Sequence, residues 1–155
     1  MTTAAWIGLG GMGFPMAGHL VTRGGLDMVV FNRTPEKALR WKAAHPGRSA
    51  TTPQLAAEGR DVVFACVGND DDLREVTLGA NGAFHAMKRG SLFIDPTTAS
   101  GRVARALHAE AKSRGIFWKT DEPGEYTVIA SARANGKEIG TAQARFMSTR
   151  DDSET

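Results

Sequence analysis

Short apolar runs alternate with longer amphipathic ones from the start of the chain to about Trp118. Ala4 to Leu9, Met28 to Phe31, Asp61 to Val67 and Ser91 to Ile94 are nearly unbroken apolar runs of strand length. That is the pattern of strands buried on both faces. Between them the spacing predicts helices. The first covers Met12 to Arg23 and is stopped by Gly24 and Gly25. The second opens with Thr34 as N-cap and Pro35 at the first helical position, and runs to about Ala44. A third follows Thr52 and Pro53, a turn or two covers Asp71 to Val76, and Ser100 caps a helix through Ser113 that Gly115 ends. Short strands are expected near Ser49 and at Ile116 to Trp118. Strands separated by helices imply an α/β fold with a parallel sheet covered on each side, and right-handed crossovers make it doubly wound.

The rhythm stops after Trp118. Lys119 to Glu125 is polar and holds Pro123 and Gly124. Tyr126 to Ala134 and Lys137 to Met147 then flank Asn135-Gly136, a pair that tolerates the positive φ of a tight turn and so predicts a β-hairpin. The expected division is a domain over residues 1–118 and an atypical tail over 119–155, frayed from Arg150 onward.

Composition changes this picture little. The 155 residues are 41% hydrophobic, enough for a real core, and the formal charge of +2 gives no reason to expect a nucleic-acid or membrane-surface partner. No run approaches the ~18 apolar residues of a membrane span, and the glycine-broken N-terminus lacks the basic start of a signal peptide. The single cysteine, Cys66, makes no internal disulfide, which suits a reducing cytoplasm. His19, His45, His85 and His108 are scattered without metal-ligand spacing, and Asp70, Asp71 and Asp72 read as a helix start with charge matched to the dipole.

The chemistry begins at Gly8-Leu9-Gly10-Gly11-Met12-Gly13, which fits G-x-G-x-x-G with a strand before it, a helix after it and a second strand following. This is the context of a Rossmann-type dinucleotide site. Gly8 lets the chain turn out of the strand. Gly10 lets a pyrophosphate approach the backbone. Gly13 lets the helix pack close to the sheet, and the helix N-terminus offers N–H groups to the phosphates.

The second strand ends in Phe31-Asn32-Arg33-Thr34. An acidic residue here would take the ribose hydroxyls of NAD. Asn32 brings no carboxylate to repel a phosphate. Arg33 can fork onto a 2′-phosphate while stacking on adenine, and Thr34 and Lys37 add donors, so NADP is favoured over NAD. At the end of the next long strand, Gly68 allows close approach to a nicotinamide ribose, and the segment Asp95 to Ser100 offers hydroxyls toward the same edge.

Together these segments resemble the N-terminal NADP-binding domain of the β-hydroxyacid dehydrogenase family, which includes 3-hydroxyisobutyrate dehydrogenase and, more distantly, 6-phosphogluconate dehydrogenase. The runs that carry the resemblance are GLGGMGFPMAGHL from Gly8, FNRTPEKA from Phe31, DVVFACVGNDDDLREV from Asp61 and GSLFIDPTTAS from Gly90. The resemblance implies cofactor contacts along the glycine loop, at Asn32, Arg33 and Thr34, and at Val67 and Gly68. It implies a place near the nicotinamide for Thr98 and near the substrate for Thr97. The implied reaction moves a hydride between the cofactor and a small β-hydroxyacid or semialdehyde.

The resemblance fades past Trp118. The family continues with a Ser-Gly-Gly substrate loop, a lysine general acid–base and a helical domain that usually makes the dimer. Gly124-Glu125-Tyr126 does not supply the loop, and no lysine here has the family context, so no catalytic residue is carried over. Residues 125–148 are vaguely similar to the last hairpin of a hotdog-fold thioesterase, without its catalytic residues. Two expectations stand side by side. One is the NADP-binding domain of an oxidoreductase, catalytically incomplete in this chain. The other is a non-catalytic NADP-binding or assembly module from a truncated or fused gene. The expected partners are a dinucleotide, a small hydroxyacid and a second copy of the chain, with a cytoplasmic location.

Overall fold

A computed structural model describes residues 1–118 in full and the backbone of 124–134 and 137–148. The chain divides into two compact units, Met1–Lys119 and Thr120–Thr155.

The first unit is a six-stranded sheet, all parallel, in the order β3-β2-β1-β4-β5-β6. The elements alternate as β1 (Thr3–Ile7), α1 (Gly13–Thr22), β2 (Asp27–Phe31), α2 (Pro35–Ala44), β3 (Arg48–Ser49), α3 (Pro53–Ala57), β4 (Val62–Ala65), α4 (Asp70–Leu78), a 3₁₀ turn (Ala83–His85), β5 (Leu92–Ile94), α5 (Gly101–Ser113) and β6 (Phe117–Trp118). The expected doubly wound parallel sheet is therefore the observed fold. Strand order reverses at β1, so the crevice beyond the carboxyl ends of β1 and β4 is where such a sheet takes its ligand.

The strand period of two sorts the apolar side chains onto two faces. Ala5 and Ile7 of β1, Val29 of β2, Val63 and Ala65 of β4 and Phe93 of β5 pack with Leu73, Val103, Leu107 and Ala111 of the helices on one side. Ala4, Trp6, Met28 and Val30 pack on the other side with Ala17 and Val21 of α1 and Ala38 and Trp41 of α2. Trp6 and Trp41 are fully buried, and each indole N–H finds a backbone carbonyl, Gly8 O at 2.8 Å and Phe14 O at 3.2 Å.

Element bounds differ from the sequence pattern where a cap or turn intervenes. β1 stops at Ile7 because Gly8 turns the chain with φ +98°. β4 is shorter than the apolar run Asp61 to Val67. The turn or two expected over Asp71 to Val76 is instead a nine-residue helix, because Asn69 caps it by accepting the Asp72 N–H at 2.8 Å. Thr34 sits at the N-cap position of α2 but makes no side-chain cap hydrogen bond, whereas Ser100 accepts the Val103 N–H at 3.2 Å.

In the second unit, β7 (Gly124–Ala134) and β8 (Lys137–Ser148) pair antiparallel, with Tyr126 opposite Phe146, Ala130 opposite Ala142 and an irregularity between Ala132 and Arg133. The Asn135-Gly136 turn, the polar run Lys119 to Pro123 and the end from Arg150 lie outside the described residues.

At the edge opposite the crevice, Asp61 ties β4 to β1. Its carboxylate accepts from Thr3 N at 3.0 Å, Thr3 Oγ1 at 2.8 Å and Lys88 Nζ at 2.8 Å. The Lys88 bond, then those from Thr3, hold the carboxyl well below the usual carboxylate range. A depressed acid stabilises the fold above its unfolded pKa of about 4 and loses that contribution as pH falls. We expect Asp61→Asn to lower the melting midpoint at pH 7. The gap from wild type should narrow as pH drops below about 4. A gap that is constant with pH would show that the charge is not the cause.

Candidate functional site

The site is built at the junction of β1 and α1. Gly8 donates its N–H to Phe31 O at 2.9 Å and accepts the Trp6 indole N–H on its carbonyl at 2.8 Å. A Cβ at position 8 would stand 2.1 Å from Cys66 O, and one at position 13 would stand 2.0 Å from Gly8 O and 3.0 Å from Trp6 Nε1. Both positions are closed to any side chain by backbone. Gly10 and Gly11 differ. Neither has a positive φ, and a Cβ at either would meet nothing within 4 Å.

Among the described residues the exposed N–H groups of Gly10, Gly11 and Met12 have no hydrogen-bond partner, and the first N–H to join the helix ladder from this loop is that of Phe14, to Gly10 O at 3.1 Å. The open N-terminus of α1 therefore points unpaired donors and a partial positive charge into the crevice. An open helix start of this kind, with nothing within 4 Å of a Cβ at Gly10 or Gly11, suits an anion. Met12, 68% exposed, stands beside these donors.

Several predicted site residues serve the scaffold. Leu9 is buried, and its N–H goes to Asn32 Oδ1 at 2.8 Å, while Asn32 Nδ2 donates to Thr34 O at 3.1 Å. Both ends of the Asn32 carboxamide are thus used to pin the glycine loop to the end of β2. Thr97 behaves similarly at the other flank. Its hydroxyl donates to Ala65 O and accepts the Val67 N–H, each at 3.2 Å, which fastens the end of β4 to the loop after β5. One hydroxyl lone pair of Thr97 is left for a ligand.

Other predicted residues are free to meet one. Arg33, Thr34 and Lys37 are exposed at the end of β2 and the first turn of α2. Gly68 is exposed at the end of β4, and Thr98 is exposed after β5. The Arg33 guanidinium meets Asp72 at 2.9 Å. The Lys37 N–H donates to Thr34 O at 3.2 Å, and among the described residues no side-chain contact joins Lys37 or Thr98 to the rest of the group.

The acidic run after β4 is engaged residue by residue. Asp70 accepts from the N–H and hydroxyl of Ser100, which hold its carboxyl below the usual range, and so links the N-termini of α4 and α5. Asp71 meets Arg74 at 3.2 Å. Among the described residues no cluster of three His, Cys, Asp or Glu could hold a metal ion. Asp95 is pushed up by burial, an effect tempered by the Thr97 N–H that bonds it at 2.9 Å. Burial, then the Asp95 charge, pushes the half-buried Cys66 thiol up as well. A separate hollow of about 490 Å³ is lined by Leu55, Glu58, Asn81 and His85, and shares no residue with this group.

Sequence reasoning missed three contributors: Trp6 as the donor on Gly8 O, Asn69 as the cap of α4, and the Arg33–Asp72 pair. A buried indole usually finds an acceptor, so Trp6 carried a signal. The Arg33–Asp72 pair joins residues 39 apart in sequence and carried none.

The sheet order, the glycine junction and the unpaired helix start define a dinucleotide-binding domain of the Rossmann class. The chain belongs to the family described as the NAD binding domain of 6-phosphogluconate dehydrogenase, whose pattern matches residues 3–120. It is 55% identical over 109 residues to an uncharacterised oxidoreductase of Shewanella frigidimarina, covering 70% of this chain and 37% of that protein. It is 36% identical over 124 residues to a mitochondrial 3-hydroxyisobutyrate dehydrogenase-like protein of Arabidopsis thaliana, covering 79% of this chain and 40% of the relative. Among solved structures, the Mycobacterium tuberculosis 3-hydroxyisobutyrate dehydrogenase with L-serine superposes with a TM-score of 0.69 at 30% identity, over 85% of this chain and 42% of the enzyme. The chain thus spans about two-fifths of the length of these relatives. It carries the NAD(P)-binding domain of β-hydroxyacid dehydrogenase-like oxidoreductases. No helix among the described residues is long and apolar enough to cross a membrane.

The two kinds of glycine separate binding from folding. Gly10→Ala should keep the wild-type melting midpoint and lose about tenfold or more in dinucleotide affinity, because its Cβ enters only the space a pyrophosphate would occupy. Gly13→Ala should be destabilised by about 1–3 kcal/mol, because its Cβ overlaps a backbone carbonyl. Thermal melts and calorimetric titration of both variants check this. An unstable Gly10→Ala, or one that binds as wild type, would refute the assignment.

Proposed function

We propose that this chain binds NADP in preference to NAD and presents its nicotinamide to a small β-hydroxyacid or the matching semialdehyde. The observation that carries the reading is the open space at Gly10 and Gly11 in front of unpaired N–H groups. Glycines with no positive φ and no crowding neighbour have no structural need to be glycine, so their use points to a close ligand.

The preference for NADP rests on the end of β2. Asn32 takes the place of an acidic residue and spends its side chain on the scaffold. Arg33 supplies a fork that suits a 2′-phosphate, the Thr34 hydroxyl makes no cap bond, and Lys37 adds a second cation one turn along α2. The pyrophosphate is assigned to the loop Gly8, Leu9, Gly10, Gly11, Met12 and Gly13, with the unpaired N–H groups of Gly10, Gly11 and Met12 as its donors. Val67 and Gly68 line the nicotinamide ribose, Thr98 the nicotinamide, and Thr97 the substrate end through its remaining lone pair.

When bound, the cofactor supplies or accepts the hydride. The residues of this chain bind and orient it. No side chain at the crevice is assigned as the proton donor that reduction of a carbonyl requires. The L-serine held by the Mycobacterium tuberculosis relative is a small β-hydroxyacid, which supports that substrate class for the whole protein. A cytoplasmic location and assembly with a second copy belong to the same proposal. The lone, half-buried Cys66 suits a reducing compartment.

The test is a titration of the purified chain with NADPH and NADH, followed by a panel of small semialdehydes and hydroxyacids. Binding of NADPH ahead of NADH, without turnover, is the expected result. Arg33→Ala should lose about 10- to 100-fold in NADPH affinity, the range of a lost charge-assisted hydrogen bond, and much less for NADH. Equal losses for both would remove the assignment of Arg33 to the 2′-phosphate.

A further inference from the structure

The Arg33–Asp72 pair crosses the mouth of the crevice. Arg33 follows β2, and Asp72 lies in the first turn of α4, after β4. β2 and β4 flank β1 on opposite sides, about 10 Å apart at ordinary strand spacing. The bond of 2.9 Å from Arg33 Nη1 to Asp72 Oδ1 therefore spans the carboxyl end of β1, the end at which the glycine loop leaves the strand. The Asp72 carboxylate is fixed for this role. Its Oδ2 accepts from Asn69 Nδ2 at 3.2 Å and lies 3.2 Å from where a Cβ on Gly68 would stand. Its side chain is 26% exposed, against 84% for that of Arg33, so the arginine is the moving partner.

We propose that Asp72 is a specificity-determining residue, a built-in competitor that Arg33 leaves only for a 2′-phosphate. The inference rests on the reading of the crevice as a dinucleotide site. An arginine on a carboxylate gains nothing by moving to the neutral 2′-hydroxyl of NAD. A phosphate carrying about −1.5 to −2 charges, with three acceptor oxygens, is a better partner than one carboxylate and draws the guanidinium away. NADP binding is then an exchange of anions on Arg33, and its net gain is reduced by the pair it breaks. NAD leaves the pair in place.

The test uses the full chain with NADPH, NADH, 2′,5′-ADP and 5′-ADP as probes, by calorimetric titration. In Asp72→Asn the affinity for NADPH and 2′,5′-ADP should rise about three- to fivefold, the scale of an exposed ion pair, and that for NADH and 5′-ADP should stay within about twofold. The gain should shrink as salt is raised from 0.05 to about 0.5 M. It should vanish when Arg33→Ala is combined with Asp72→Asn. Asp72→Ser, which leaves the backbone N–H of residue 72 on the Asn69 cap, gives the same readout should the first variant melt early. Equal tightening for both cofactors would mean the pair is an unselective obstruction, and no tightening would mean it does not compete; either overturns the proposal. A wild-type chain that binds neither cofactor would overturn the dinucleotide reading itself, a result distinct from both.

Discussion

The carbonyl of Gly8 is the point on which the structure turns. It receives the Trp6 indole N–H and lies so close to Gly13 that no Cβ can stand between them. That one contact fixes where α1 starts and how it leaves β1. Trp6 in turn stacks on Phe64 of β4 at 5.2 Å, so the junction is held from the buried face of the sheet. A tighter or looser junction would aim the start of α1 elsewhere, and the unpaired N–H groups of the loop would no longer converge on one place. Packing here and binding are the same geometry viewed from inside and outside.

Around that junction the polar side chains divide into two groups. Asn32, Thr97, Asp70 and Ser100 spend their hydrogen bonds on tying strand ends and helix starts to each other. The Asn32–Leu9, Thr97–Val67 and Asp70–Ser100 ties join elements distant in sequence along the carboxyl edge, while the Ser100 hydroxyl also caps α5 locally. In the proposed function the unpaired backbone donors do the recognising. This arrangement costs little reorganisation on binding, because donors fixed by the fold need not be ordered by the ligand. Arg33, held only at the tip of an exposed side chain, is the exception.

Much of this was legible from the chain alone, for physical reasons. The strand and helix periods differ, so β1, α1, β2 and α2 could be placed from hydrophobic spacing, and Pro35 and Gly115 marked boundaries by their own backbone limits. The spacing of Gly8, Gly10 and Gly13 marked the loop. It did not show that Gly13 is closed by backbone while Gly10 faces open space, because that distinction is made by Gly8 O and Trp6 Nε1 in three dimensions. The length of α4 was misjudged because the cap at Asn69 went unread. Asn32 and Thr97 were correctly placed at the edge, yet their side-chain partners, Leu9 N and Ala65 O, become neighbours only when the sheet assembles.

In the proposed function, an arginine at the end of β2 does not by itself set the choice of cofactor. A cation in an unliganded protein does not wait unpaired where a carboxylate lies within reach; it takes the best anion present. What discriminates is the difference between two anions competing for it, so the resident carboxylate enters the selectivity as directly as the arginine does. Here that carboxylate is held by Asn69 against the start of α4, on the far side of β1 from Arg33. In the proposed exchange, the cap of one helix and the cofactor preference assigned to the strand two places away are therefore coupled through a single side chain.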